Sequence, residues 1–501
     1  MNDNKQAIAE LIKNAPPIEI TESEKEAEKS LSTSQKLREL TDTFEFFKGD
    51  DDGFYAIIKS LSPFEAYDIK SHDFELAIRK LYFEEHGNTA PKNQIEETIK
   101  HIESLIRFGN CNKRKVFQRI GSDDNGRIYI DTNDENKNVI VIDSKGYDTT
   151  IKPDCVFVRN QNMLPLPLPK DGGKLSDLRD LLNISDDATW DTIISWLFSA
   201  VMLDGPYPIL IVQGEHGSGK STLCRILVDL INPNNVPLKT PIKKIDDLMI
   251  AAKHDRVMCF DNMSGCSYEM SDALCRIATS GAYSKRQLFS NGTEFSFNVT
   301  RPIILNGIDR IAQRQDLADR SFVIYLPGIT KPGLRKTEQQ IWKQFVAMKP
   351  LILGAIYEVL SGIIENKDKT NVDTSIRMID AVTWVSAGEE KLAWPKDRLI
   401  NLLNNNKEEI ANEAIEDSPV AQAIINIMDK EGGIEIPNKD LCDKVKGIVD
   451  PITLRTAGYL KSYKGFSDHV QRIAPALRVK GIYIERMGRD KKGAWIKIWK
   501  Q

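Results

Sequence analysis

The residues best suited to chemistry lie in one stretch, Pro208 to Thr222 (PILIVQGEHGSGKST), where Gly214, Gly217 and Gly219 alternate with polar residues and lead into Lys220, Ser221 and Thr222. Glycines at this spacing let the backbone take turns that a Cβ would obstruct, so successive N–H groups can point inward at one anion. A lysine closing such a loop reaches the β and γ phosphates of a nucleoside triphosphate, and the hydroxyl after it ligates Mg²⁺. Gly214, Gly217, Ser218, Gly219, Lys220, Ser221 and Thr222 therefore read as a binding site for ATP and Mg²⁺.

Hydrolysis needs a second carboxylate and a group that senses the γ phosphate. The apolar run RVMCFDN ends in Asp261, placed to hold Mg²⁺ through water opposite Ser221, or else to cap the next helix. Asn262 stands where many ATPases keep a glutamate to polarise the attacking water, which leaves the general base open. RPIILN ends in Asn306, which at the carboxyl end of an adjacent parallel strand can hydrogen-bond the γ phosphate or the water. Of Arg310, Arg314 and Arg320 downstream, Arg320 is the first choice and Arg314 the second for an arginine that reaches a neighbouring subunit's γ phosphate.

These groups require particular elements around them. Ile209–Val212 is a continuous apolar run, as expected of a strand buried on both faces of a parallel sheet. Leu223, Ile226, Leu227 and Leu230 give the following segment a helical stripe, which aims its positive end at the same anion. From Leu175 to about Leu326 strands and helices alternate, the pattern of a parallel sheet with helices on its faces. Between the Asp261 and Asn306 strands, extended pieces flank Asn291-Gly292, a hairpin signal, with Lys285 and Arg286 on or near it. Those two cations suit tracking of a single nucleic-acid strand, or form a solvated face.

A chain of 501 residues, 41% hydrophobic and 28% charged, accommodates about three domains of a soluble protein. No apolar run approaches the ~20 residues that span a bilayer and the N-terminus has no basic-then-apolar signal, so a cytoplasmic protein without membrane partners is expected. Seven scattered cysteines without a CxxC pair argue for reduced, packed thiols and against structural zinc. The net charge of −4 hides an asymmetry, because Gly433–Gln501 holds 15 Lys and Arg against 7 Asp and Glu, a net +8.

The expected order is as follows. Residues 1–43 form a polar arm, either a tethering helix or disordered; 44–170 an α+β domain ending at the MLPLPLPK connector; 171–330 the ATPase core; 331–406 a helical extension; 407–418 an acidic linker; and 419–501 a basic domain. Asp50, Asp51 and Asp52 before a glycine read as a solvated turn rather than a metal cluster. The basic domain shows three short helices and a terminal hairpin with MGRDKKG as its turn, the layout of a winged helix, which touches DNA or protein. Arg472, Arg478, Lys480, Arg486, Arg489, Lys491 and Lys492 would supply its phosphate contacts.

With GEHGSGKST, CFDN, SGAYSKRQLFS, RPIILNG and DLADRSFVIYLP in this order, the chain resembles the superfamily 3 helicases, AAA+ ring ATPases of viruses, phages, plasmids and other mobile elements, and among them the poxvirus-like primase-helicase branch. The resemblance covers roughly Leu175 to Leu326. It implies an α/β AAA+ core, a homo-hexamer, ATP and Mg²⁺, and 3′ to 5′ movement on single-stranded DNA during replication; independently, the winged-helix layout of the C-terminal domain would add duplex contacts. The segment before the core offers no carboxylate cluster for nucleotide polymerisation, so helicase without primase is expected. The competing readings are a nucleotide-switched regulatory or anti-phage defence assembly without processive unwinding, favoured by Asn262, and a metabolic phosphate-loop kinase, disfavoured by the extra arginines and basic tail.

Overall fold

The computed structural model describes residues 31–279, 282–286, 294–308, 311–312, 314–329, 336–372, 376–450, 462–491 and 493–501. The chain forms two compact units, one running to Phe117 with Asp154–Arg159, the other comprising Gln118–Pro153 and Asn160–Gln501.

In the smaller unit, Ser32 and Gln35 form a capping box that starts α1 (Thr33–Asp42). Strands β1 (Glu45–Gly49), β2 (Phe54–Ile57) and β3 (Glu65–Asp68) follow, then α2 (His72–His86), α3 (Lys92–Phe108), β4 (Lys113–Arg114) and β5 (Val116–Phe117). The chain then builds β6 (Ile120–Ser122), β7 (Ile128–Asp131), β8 (Val139–Asp143) and β9 (Gly146–Thr150) in the other unit and returns as β10 (Val156–Val158). The sheet order is β4-β1-β2-β3-β10-β5, with Leu37, Phe74, Ile78 and Ile95 fully buried beneath it. Asp50–Asp52 lie in the turn between β1 and β2, where Asp51 accepts hydrogen bonds from the Gly53 N–H (2.9 Å) and the Tyr55 hydroxyl (2.6 Å).

Two expected boundaries shift here. The polar stretch to residue 43 includes α1, whose Leu37 is part of a folded core, because its apolar residues recur at helical spacing and its start is capped; residues 1–30 lie outside the described residues. The single domain expected over 44–170 divides, because Ile128, Ile130, Ile140 and Ile142 of the antiparallel β6-β7-β8-β9 meander point into the core of the larger unit.

The larger unit continues with α4 (Leu175–Arg179), α5 (Asp187–Ala200), β11 (Ile209–Gly214), α6 (Lys220–Ile231), α7 (Ile245–His254), β12 (Met258–Met263), α8 (Tyr268–Thr279), β13 (Ala282–Arg286), β14 (Glu294–Asn298), β15 (Ile303–Gly307), α9 (Gln315–Ala318) and β16 (Ser321–Leu326). Its central sheet is wholly parallel, in the order β12-β15-β11-β16. Leu210 and Val212 of β11 enter one hydrophobic core while Ile209 and Ile211 enter another on the opposite face. That two-sided burial is why the strand carries no polar alternation. Strands β13 and β14 pair antiparallel, Ala282 opposite Asn298 through Arg286 opposite Glu294.

Helix α10 (Glu338–Asn366) is long and apolar enough to cross a membrane by length and composition, contrary to the expectation that no such run exists. Of its most apolar window 67% is buried, with Phe345, Ile352, Leu353 and Leu360 inside the core it shares with the meander and α6, so its apolar surface is used for packing. α11 (Ile379–Ser386) and α12 (Arg398–Glu416) follow. The expected 407–418 linker is instead largely the second half of α12: Leu399 lies in the core that packs α6 and β11 and Ile415 in that of the C-terminal segment, so one continuous helix serves both. Polar composition there marks a solvated helix face rather than a break.

The C-terminal segment comprises α13 (Pro419–Glu431), β17 (Gly433–Pro437), α14 (Asn438–Lys446), α15 (Tyr463–Val479), β18 (Ile482–Asp490) and β19 (Gly493–Lys500), with sheet order β17-β19-β18. β17 was not anticipated, because its five residues follow directly on a helix. The terminal hairpin is tighter than expected: pairing runs on to Asp490 opposite Gly493, with a register shift between Arg486 and Arg489 absorbing part of the stretch read as turn.

Candidate active site

Strand β11 delivers the glycine-rich turn to the carboxyl edge of the sheet. Gly214, Gly217 and Gly219 have φ of 151°, 71° and 89°, all in the region that favours glycine. A Cβ on Gly214 would also collide with the Leu326 carbonyl oxygen of β16. Gly219 is the N-cap of α6 and no side chain caps it, so the first N–H groups of a 12-residue helix face the loop with the positive end of the helix dipole behind them.

Lys220 folds back over the loop. Its ammonium donates to the carbonyl oxygens of Gly214 (2.9 Å) and Glu215 (2.6 Å) and approaches the Ser218 hydroxyl at 3.4 Å. Burial lowers its pKa, opposed by the charge of Asp261. Ser218 is fully buried, and Thr222 lies in the first turn of α6. The Ser221 hydroxyl donates to Asp261 Oδ1 at 3.0 Å, so the two expected Mg²⁺ ligands, 40 residues apart in sequence, are in direct contact.

Asp261 and Asn262 sit at an irregularity of β12, where the register against β15 shifts between Phe260 and Met263. Asn262 has φ 58°, a left-handed conformation that asparagine tolerates better than most residues. Its N–H lies 3.1 Å from Asp261 Oδ1 and 3.3 Å from Asn306 Oδ1, while its side chain is exposed. The bulge thus turns the 262 side chain outward and binds its N–H inward, which accounts for an asparagine at this position in backbone terms.

Asn306 is fully buried at the end of β15, the strand between β11 and β12. Its amide is held from both ends, by the Asn262 N–H at Oδ1 and by Cys224 Sγ, 3.5 Å from Nδ2. The two arginines are also engaged on their own chain. Arg314 pairs with Asp272 and lies 5.0 Å from the Tyr268 ring centroid, and Arg320 pairs with Asp316, which also binds Arg377 at 2.9 Å. Burial pushes the Asp316 carboxyl up, but the hydrogen bond and charge of Arg320 and the charge of Arg377 outweigh it and hold the pKa below the ordinary value. Arg310 lies outside the described residues.

Three further residues belong to this constellation. Asn183, in the loop before α5, donates from Nδ2 to the carbonyls of Ser218 (3.0 Å) and Pro327 (2.8 Å), tying the glycine loop to the end of β16; no local motif marks it. Cys224 reads from sequence as a packed thiol, and its place one helical turn after Lys220 is the signal that puts it beneath the loop. Arg377 was not singled out at all.

The sequence-predicted nucleic-acid residues fall on two separate stretches of the chain. Lys285 and Arg286 fall on β13, with their side chains outside the described residues, as are Asn291, Gly292 and Lys492. Arg472, Arg478, Lys480, Arg489 and Lys491 are exposed on α15 and the terminal hairpin. Arg486 donates to the Ser467 hydroxyl at 3.2 Å and so braces the hairpin against α15.

The fold and site define a mixed α/β protein whose parallel sheet presents a glycine-rich loop at a helix N-terminus beside a serine–aspartate pair. Two models of one family match it: "Actinomycete integrative conjugative element replication protein" over residues 175–388 and "AICE RepA C-terminal domain" over 420–501, between them more than half of the chain. The chain belongs to this replication-protein family of actinomycete integrative conjugative elements. No curated protein matches it. Solved structures that are similar to it include two apo forms of the NrS-1 C terminal region, 12% and 13% identical with TM-scores of 0.39 and 0.40, each covering 93% of this chain and 98% of the other. A JCV helicase structure is 16% identical over 44% of this chain and 59% of the other, with a TM-score of 0.25.

Proposed function

We propose that this chain is the ATP-driven DNA helicase or translocase of a mobile element's replication, with an AAA+ core of the superfamily 3 type that works as a ring and draws an arginine from the neighbouring subunit. The observation that carries the reading is the Ser221–Asp261 contact, 3.0 Å long, beneath the uncapped N-terminus of α6. A hydroxyl and a carboxylate are hard oxygen donors of the kind Mg²⁺ takes, and Ser221 with Asp261 would hold it. Bound there, the ion would supply positive charge against the negative charge developing in phosphoryl transfer.

The chain's own groups do the rest. Gly214–Thr222 bind the triphosphate through backbone N–H groups, Lys220 exchanges its loop carbonyls for phosphate oxygens, and Asn306 orders the β12 bulge beside them. The strand order supports an AAA+ core, since Lys239 makes an isolated parallel bridge to Phe260 and so continues the sheet one position beyond β12. Arg320, with Arg314 as second choice, is the arginine offered across a subunit interface, probed by release from Asp316. Helices α13, α14 and α15 with the β18–β19 hairpin support a winged-helix reading, and the exposed cations there supply duplex phosphate contacts while Lys285 and Arg286 follow the single strand.

Unwinding of a forked duplex tests this reading: strand separation is expected with wild-type protein and lost in Lys220→Ala. The exposed, outward-turned Asn262, which supplies no carboxylate to activate water, favours a second reading as a nucleotide-switched assembly. That reading predicts ATP-dependent oligomers in gel filtration and no strand separation at any protein concentration.

A further inference from the structure

Beneath the glycine loop, the Cys224 thiol contacts the buried amide of Asn306. We propose that Cys224 is a positioning residue: its sulfur fixes the orientation of the Asn306 side chain and, through the Asn262 N–H, the carboxylate of Asp261. The inference rests on the reading of Ser221 and Asp261 as the Mg²⁺ site.

The geometry forms one relay. Cys224 Sγ lies 3.5 Å from Asn306 Nδ2; Asn306 Oδ1 lies 3.3 Å from the Asn262 N–H; and that N–H is shared with Asp261 Oδ1 at 3.1 Å, the oxygen that also accepts from Ser221. Asn306 is fully buried, so water does not serve its two ends. An amide can sit either way round in a cavity of its shape. With a sulfur acceptor on one side, only one orientation gives the NH₂ group a partner and turns the carbonyl to the Asn262 N–H; the reverse sets two donors against each other. Residue 262 is in the left-handed region, so its conformation needs such a tether to persist.

The thiol suits this task because it is small, buried and carries a weak acceptor. Cys224 is fully buried on α6 beside the fully buried Cys259 of β12. Such thiols act as small apolar groups with a weak acceptor, not as nucleophiles. The pair therefore packs like a core contact while still presenting a lone pair to Asn306.

The test compares Cys224→Ser, which keeps an acceptor, with Cys224→Val, which keeps volume and removes it, each in wild-type and Asn306→Ala backgrounds. Thermal melting reports folding separately. Two readouts are taken: turnover, and the Mg²⁺ concentration that half-saturates binding of a fluorescent ATP analogue. Loss of a partner that orients a metal ligand costs about 10–100-fold in metal affinity or activity, so Cys224→Val is expected to raise the Mg²⁺ midpoint and lower kcat by about tenfold, with little change in KM. Cys224→Ser should stay near wild type, and the valine effect should vanish when Asn306 is already alanine. Equal Mg²⁺ midpoints in wild type, serine and valine variants would overturn the role, as would a valine effect that persists without Asn306. The Mg²⁺ readout requires no turnover: a wild-type protein that hydrolyses nothing but shows this shift would retire the hydrolysis reading and leave the relay standing.

Discussion

Around Lys220, backbone and side-chain groups from β11, the glycine loop, α6, β12 and β15 are joined by hydrogen bonds of 2.6–3.5 Å, with Ser218 and Asn306 fully buried and left-handed backbone at Gly217, Gly219 and Asn262. On the C-terminal hairpin, Arg489 and Lys491 stand exposed at the end of a two-stranded projection. The first region depends on each atom's place, since a buried donor or acceptor that loses its partner has no water to turn to. The second, under the proposed function, depends on summed charge, and any one cation there would be worth a similar increment of phosphate affinity. Single substitutions should therefore be severe in one region and graded in the other.

The largest effect is expected at Lys220. Lys220→Ala should lower ATP turnover by about a hundredfold or more, the scale for losing one preorganised charge at a developing anion, with the melting temperature unchanged. Asp261→Asn comes next: it keeps shape and a hydrogen bond to Ser221 but removes the charge, so Mg²⁺-dependent nucleotide binding should weaken by about tenfold or more in a metal titration. Gly214→Ala breaks the backbone rather than the chemistry. Its Cβ meets the Leu326 carbonyl at φ 151°, so chemical denaturation should show a loss of about 1–3 kcal/mol alongside lost nucleotide binding. In the other region, Arg489→Ala and Lys491→Ala should each weaken DNA binding equally for all sequences and lower the salt slope by about one unit. A sequence-selective loss would mean that the hairpin reads bases.

The smallest effect concerns the arginine cluster. The Asp316 carboxyl is held below the ordinary range by Arg320 and Arg377 against the opposing effect of burial. A lowered folded-state pKa contributes stability that is present above the unfolded value and lost as pH falls through the folded one. Melting temperature should therefore drop on acidification below the ordinary carboxylate range, and Asp316→Asn should flatten that limb slightly.

The same contrast explains what was legible. The glycine loop, Asp261 and Asn306 announce themselves because each closes an apolar strand, and the parallel order of β11, β15 and β12 brings those strand ends together. Asn183 and Cys224 were not assigned a role because their function exists only across a contact, 144 residues from Pro327 and 82 from Asn306 respectively. The division of the 44–170 segment was hidden for a related reason: alternation in β7 and β8 tells that one face is buried, not which core receives it. The continuity of α12 was missed because a polar composition resembles a linker wherever half a helix is solvated.

The most direct test of the central claim is the rate of ATP hydrolysis at low salt with and without single-stranded DNA, in wild type and Lys220→Ala. Stimulation by DNA in the wild type, absent in the variant, is the predicted result. A wild-type rate indifferent to DNA would contradict the account, because the loop, Asp261 and Asn306 would then serve a nucleotide site with no motor attached.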